Sequence, residues 1–210
     1  CRMPFRDKAF DFVIASHVLA HVRQPEAFLN ELARVGKAGY IETPNVMFER
    51  LAPYDVHLLE IMEVNGRIHI QKKASVATDT FVRDLRLYVQ EPAWRRFFYG
   101  SPEHFHVRHL WEGSIDFVVA NPEEPCDWFR EDSQPMTVEA SSPPTMTGWR
   151  DVARAMLRRW YRLGRRPCDW RKLLACPQCH GELENGAEWH ACRSCKVRFP
   201  STPWPDFNAA

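Results

Sequence analysis

The chain has 210 residues, enough for one or two domains with a substantial core. Hydrophobic residues make up 45% and charged residues 26%, which excludes a disordered chain. The 28 basic and 27 acidic side chains leave a net charge of +1, which by itself calls for no nucleic acid. No apolar run is long enough for a membrane span, and no secretory leader opens the sequence. The chain starts at Cys1 rather than Met and enters a strand pattern within ten residues, so it reads as the later part of a longer protein.

Phe10–Ala15 is short, apolar and rich in β-forming residues, as in a buried parallel strand. Gln24-Pro25-Glu26 opens a helix, with Pro in an early position and an acid in the first turn. Phe28, Leu29, Leu32 and Val35 give it one apolar face, and Gly36 and Gly39 are expected to end it. Tyr40–Thr43 is a second strand stopped by Pro44. Strand, helix and strand within about 35 residues indicate an α/β parallel sheet. Further on, Asp79–Gln90 has a helical pattern and Arg67–Lys72 alternates like a strand. Phe105–Trp111 and Ile115–Ala120 are strand-like runs separated by Glu112-Gly113-Ser114, which predicts an antiparallel hairpin at one sheet edge.

Composition divides the chain into residues 1–120, an acidic Pro-rich linker 121–147, a basic stretch 148–172 and a Cys-rich tail 173–210. In the basic stretch Trp149, Val152, Met156, Trp160 and Leu163 recur at steps of three and four, giving an amphipathic helix. Its arginines suit a phosphate surface, an anionic lipid or an acidic substrate; the acidic loop 123–132 favours instead a solvated connecting helix with an internal charge partner.

The tail carries Cys176-x2-Cys179, twelve residues, then Cys192-x2-Cys195. Two residues between thiolates let one tight turn aim both sulfurs at one ion, and two such turns complete a tetrahedral zinc site. Four thiolates leave no open position, so this zinc is expected to be structural. His180 and His190 stand beside better ligands, and Cys1, Cys126 and Cys168 lack partner spacing and read as plain thiols. Clustered thiols argue for a reducing, cytoplasmic setting rather than a disulfide framework.

Met3-Pro4-Phe5, a polar step, Phe10-Asp11 and the strand ending in Ser16-His17-Val18-Leu19-Ala20-His21 resemble the middle of class I S-adenosylmethionine-dependent methyltransferases over roughly residues 1–45. Met3 stands where that family has leucine, Ala20 where it has glutamate, and His21 is kept. The resemblance implies a partial Rossmann-like α/β sheet and methyl transfer to an unidentified acceptor. It implies cofactor contacts from Met3, near adenine, and from Ser16 and His17 at the carboxyl end of the first strand.

The family's glycine-rich loop and ribose-binding acid lie upstream of the matched region, and no Gly-x-Gly run occurs here. The covered residues are therefore expected to hold one wall of the donor pocket and to be inactive alone. A base for the transfer should titrate near working pH, which selects histidine. Among nine histidines, His57 follows the strand end Glu42-Thr43-Pro44-Asn45 on the substrate side that the resemblance implies, with Glu42 or Glu49 as second choices. His104 and His106 share one face of a strand and read as structural.

The tail, from Leu173-Leu174-Ala175-Cys176-Pro177 to Phe199-Pro200, is similar to the small zinc-ribbon activator subunit of RNA and protein methyltransferases, with a degenerate closing strand. That similarity implies a ribbon docked on its own catalytic domain. A different class of reading is a non-catalytic zinc-ribbon interaction or nucleic-acid-binding module on a remnant α/β domain.

Overall fold

The computed structural model describes residues 2–54, 56–75, 91–126, 149–163, 169–186 and 188–200. It is mixed α/β with three small sheets. The expected helix at 79–90 and most of the acidic linker lie outside the described residues.

β1 (Phe10–Ser16) leads through a 3-10 turn at Leu19–His21 to α1 (Pro25–Val35) and β2 (Gly36–Pro44), which runs parallel to β1. α1 starts at Pro25, where a missing N–H costs nothing. It buries Leu29, Leu32 and Val35, as its apolar spacing requires. β2 begins at Gly36 with no intervening turn, so Gly39 is a strand residue and not a helix stop. A Cβ on Gly39 would lie 2.6 Å from both the Trp111 ring and the Val13 carbonyl. Glycine is there to let the indole lie flat on the sheet.

After β2, Asn45 caps α2 (Val46–Leu51) by accepting from the Phe48 N–H at 2.9 Å. β3 (Leu59–Val64) and β4 (Arg67–Lys72) form a hairpin closed by Asn65-Gly66, both in the left-handed region. α3 (Pro92–Gly100) follows, then β5 (His106–Glu112) and β6 (Phe117–Val119).

The expected β5–β6 hairpin does not form. β5 pairs antiparallel with β2, giving the order β1-β2-β5, while β6 pairs parallel with β4 in the sheet β3-β4-β6. Both ends of β6 are tied to β4. Arg67 Nε donates to Asp116 Oδ1 at 2.8 Å, and the Asn121 amide bonds the N–H and carbonyl of Lys72, each at 2.8 Å. The two sheets and α1 share one core, with Leu29, Ile41, Ile61, Ile68 and Ile70 at 1% exposure or less. Each such side chain contributes about 1.5–3 kcal/mol on burial.

The chain divides into two compact units, Cys1–Phe129 with Leu173–Ala210, and Arg130–Lys172. The second contains α4 (Trp149–Leu163), on which Met156, Leu157 and Trp160 are exposed. The tail of the first unit carries the sheet β7 (Leu183–Asn185), β8 (Trp189–Cys192) and β9 (Arg198–Pro200), antiparallel throughout. It is joined to the chain's start. Ala175 N–H donates to the Pro4 carbonyl at 3.0 Å, Arg6 N–H donates to the Leu173 carbonyl at 2.9 Å, and Phe5 and Leu174 form an antiparallel bridge. Among the described residues no helix is long and apolar enough to cross a membrane.

Candidate active site and metal centre

The carboxyl ends of β1 and β2 and the amino end of β5 form one rim. Ser16 ends β1, exposed, and His17 turns the chain with a φ of 55° while its N–H donates to the Glu42 carbonyl at 2.7 Å. The Glu42 carboxylate accepts from Tyr40 Oη at 2.6 Å, with Arg108 Nε 3.2 Å and His17 Nε2 3.6 Å away. The Tyr40 hydrogen bond, aided by the Arg108 charge and opposed by burial, holds Glu42 below its ordinary pKa. Burial and the adjacent carboxylate raise the Tyr40 phenol.

Above this rim opens a cavity of about 380 Å³ lined by His17, Glu42, Pro44, Phe48, Tyr54, His57, Phe98, Pro102 and His106. Phe48 packs on Phe98 at 4.7 Å between ring centres, and His17 meets His106 edge-on at 5.2 Å. Behind them Phe48 and Phe105 form a second buried cluster, with Trp94 and Phe98 of α3 packed against it.

His57 sits at the cavity's inner wall. Its Nδ1 is 2.6 Å from Oε2 of Glu49, and its ring meets His21 edge-on at 4.8 Å. Glu49, on α2, is 3% exposed, and its Oε1 accepts from Lys73 Nζ at 2.8 Å and from the Tyr54 N–H at 3.2 Å. Burial works to raise the Glu49 pKa; the His57 and Lys73 hydrogen bonds outweigh it and hold the carboxyl below its ordinary value. Burial pushes the His21 pKa down, against the Val56 carbonyl that raises it.

His17 and His57, forty residues apart in sequence, thus line one cavity, with Ser16 next to His17. Met3 is not among the lining residues. Its N–H donates to Glu31 Oε1 at 2.6 Å, its carbonyl accepts from Arg34 at 3.0 Å, and its side chain packs against the main core. Arg34 also donates to the Phe5 carbonyl, Asp7 and Glu31. The Arg34 hydrogen bond holds Glu31 below its ordinary value against burial, and the same pair raises Arg34.

Glu31 and Glu49, with depressed folded-state pKa values, stabilise the fold above the unfolded value of about 4.3, and this contribution is lost as pH falls through the folded values. Urea midpoints are expected to drop as pH falls below the unfolded value of about 4.3, and Glu31→Gln to flatten that limb.

The sulfurs of Cys176, Cys179, Cys192 and Cys195 all lie within 4.8 Å of one another. Cys176 and Cys195 are 3.6 Å apart, Cys179 and Cys192 3.4 Å. A zinc ion with four sulfurs at about 2.3 Å has S–S edges of about 3.8 Å, so the donor set fits that ion. The N–H groups of Gly181 and Cys195 donate to Cys179 Sγ and Cys192 Sγ, as knuckle turns require. Four such neighbours cannot all ionise without a cation. Burial raises Cys192, but the Cys195 N–H and the Cys179 thiol bring it down to about 6; for Cys195 the Val197 N–H lowers the pKa, and desolvation together with the neighbouring thiols outweighs it and pushes it up to about 12.

Sequence reading did not single out Lys73, Tyr54, Arg108 or Phe98. Asn65-Gly66, a turn dipeptide the sequence reading did not use, could have pointed to the hairpin that leads to Lys73; none of the four lies in a motif.

A family model described as a methyltransferase domain matches residues 1–41, from the chain's start through β1, α1 and most of β2. No curated protein and no solved structure matches the chain. The match supports a methyltransferase in general, and the cysteine cluster is compatible with a zinc ribbon.

Proposed function

We propose that the chain is part of an S-adenosylmethionine-dependent methyltransferase whose acceptor enters the cavity above β1 and β2. The observation that carries this reading is that the family match runs into the rim where His17 and His57 line one cavity. In open α/β sheets ligands lie beyond the carboxyl ends of parallel strands, and a methyl acceptor needs a base near neutral pH.

The donor supplies an electrophilic methyl carbon on a cationic sulfur. Ser16 and His17 hold it from this side, with Met3 on the segment leading into β1. Glu42 is kept ionised beside His17 and suits a positive ligand. The described residues lack a glycine-rich cradle, so they supply the acceptor side and the base rather than the whole donor pocket. Bound there, the donor would supply its methyl group to the acceptor's oxygen or nitrogen, with the sulfur as leaving group, and Nε2 of His57 would take up the acceptor's proton. Phe48, Tyr54 and Phe98 exclude water and orient the acceptor body.

The four thiolates hold a structural zinc, and the ribbon, joined to residues 4–6, keeps the segment before β1 in position. Calorimetric titration of the full-length protein with S-adenosylmethionine is expected to give saturable heat. No heat from well-folded, zinc-loaded protein overturns the transferase reading in favour of a non-catalytic ribbon module.

A further inference from the structure

We infer that Glu49 is a positioning residue: it fixes His57 as the tautomer with the proton on Nδ1, leaving Nε2 as the lone pair offered to the acceptor. This rests on the reading of His57 as base, and its geometry is independent of the donor.

The Glu49 carboxylate is buried, and among the described residues its partners all point the same way. Lys73 Nζ and the Tyr54 N–H donate to Oε1, and His57 Nδ1 stands 2.6 Å from Oε2. An ionised carboxylate only accepts, so the imidazole nitrogen facing it must carry hydrogen. The opposite tautomer sets two lone pairs against each other in a buried contact. In a neutral imidazole with Nδ1–H, the other nitrogen is necessarily the acceptor.

Lys73 shares the carboxylate with His57: its Nζ donates to Oε1 at 2.8 Å while His57 Nδ1 stands at Oε2, so the carboxylate is held in one orientation from both oxygens. Among the described residues, the other rings facing His57 are Tyr54 and His21, and burial lowers the His21 pKa. Backbone contacts hold the parts in register: Leu58 N–H donates to the Ala20 carbonyl, Lys73 N–H to the Leu58 carbonyl, and His21 Nδ1 meets the Val56 carbonyl at 2.9 Å.

Two-bond proton–nitrogen correlation spectra of the ¹⁵N-histidine-labelled chain read this tautomer directly. In the wild type His57 is expected to show a protonated Nδ1 and an unprotonated Nε2. In Glu49→Gln the amide oxygen turns to Lys73 and Tyr54 and the amide nitrogen faces His57, so the tautomer should invert. In Lys73→Met the Nδ1–H tautomer should persist. A wild-type Nε2–H tautomer, or an unchanged tautomer in folded Glu49→Gln, overturns the proposal. The wild-type spectrum decides even if both variants fail to fold.

In the complete enzyme Glu49→Gln should lower kcat by about 10²-fold with the acceptor KM little changed. Expected tautomers with methyl transfer retained in His57→Asn remove the base reading and keep the role of Glu49. The reverse tautomer with transfer abolished does the opposite.

Discussion

Cys192→Ser is expected to unfold the whole ribbon and to free the first residues of the chain. β7, β8 and β9 are three or four residues long, and their interior is little more than Leu183, His190 and Phe199. Apolar burial on that scale cannot hold a segment of this size, whereas a structural zinc supplies about 10–16 kcal/mol of coupled binding and folding. The loss should reach the bonds from Ala175 to Pro4 and from Arg6 to Leu173. Amide exchange checks it. The Arg6 and Ala175 amides should be protected in the zinc-loaded chain and exposed both in Cys192→Ser and after a strong chelator. Elemental analysis should find zinc equimolar with wild-type chain; a metal-free chain with those two amides still protected would falsify the coupling.

His57→Asn is expected to cost about 10²–10⁴-fold in kcat of the full-length enzyme, with donor affinity little changed, because the general base is gone. Asparagine is the informative substitution: its amide nitrogen can occupy the place of Nδ1 and keep donating to Glu49, while nothing replaces Nε2. Alanine strips the buried Oε2 of its donor, with an expected stability loss of about 1–3 kcal/mol that confounds the kinetics. Thermal unfolding of both variants separates the effects. Asn with wild-type stability and wild-type kcat rules out His57 as the base.

Much of the first unit was legible in its local pattern. Pro25 and the Phe28–Val35 spacing pointed to the helix that forms, because propensity, capping and burial agree there. The run at Phe10 pointed to a parallel strand but not to its place: β1 lies at the sheet edge with Phe12 and Ile14 exposed, so the expected burial is not met. The thiolate cluster was legible for the same reason: two tight turns fix it locally. The fate of β5 was not. Phe105–Trp111 and Ile115–Ala120 look like partners in sequence, yet Asp116 and Asn121 commit β6 to β4, and nothing local announces those long-range bonds. Gly39 misread as a helix stop is a similar case, since its reason is an indole 72 residues away in sequence. Glu49 was visible as an acid but not as the hub between His57 and Lys73, because only the β3–β4 hairpin brings residue 73 to it.

The pairing of β5 with β2 carries a further consequence. Val107, His109 and Trp111 are buried, while Arg108 opposite Glu42 and His106 opposite Pro44 share the other face. A slip of a single residue exchanges the two sets. It would thrust a guanidinium into the hydrocarbon interior, pull the indole off its glycine seat and strip Glu42 of its counter-charge. Misaligned chains are thereby selected against during folding by the same alternation that builds the rim, so the fidelity of one strand's alignment and the electrostatics of the pocket are inherited together.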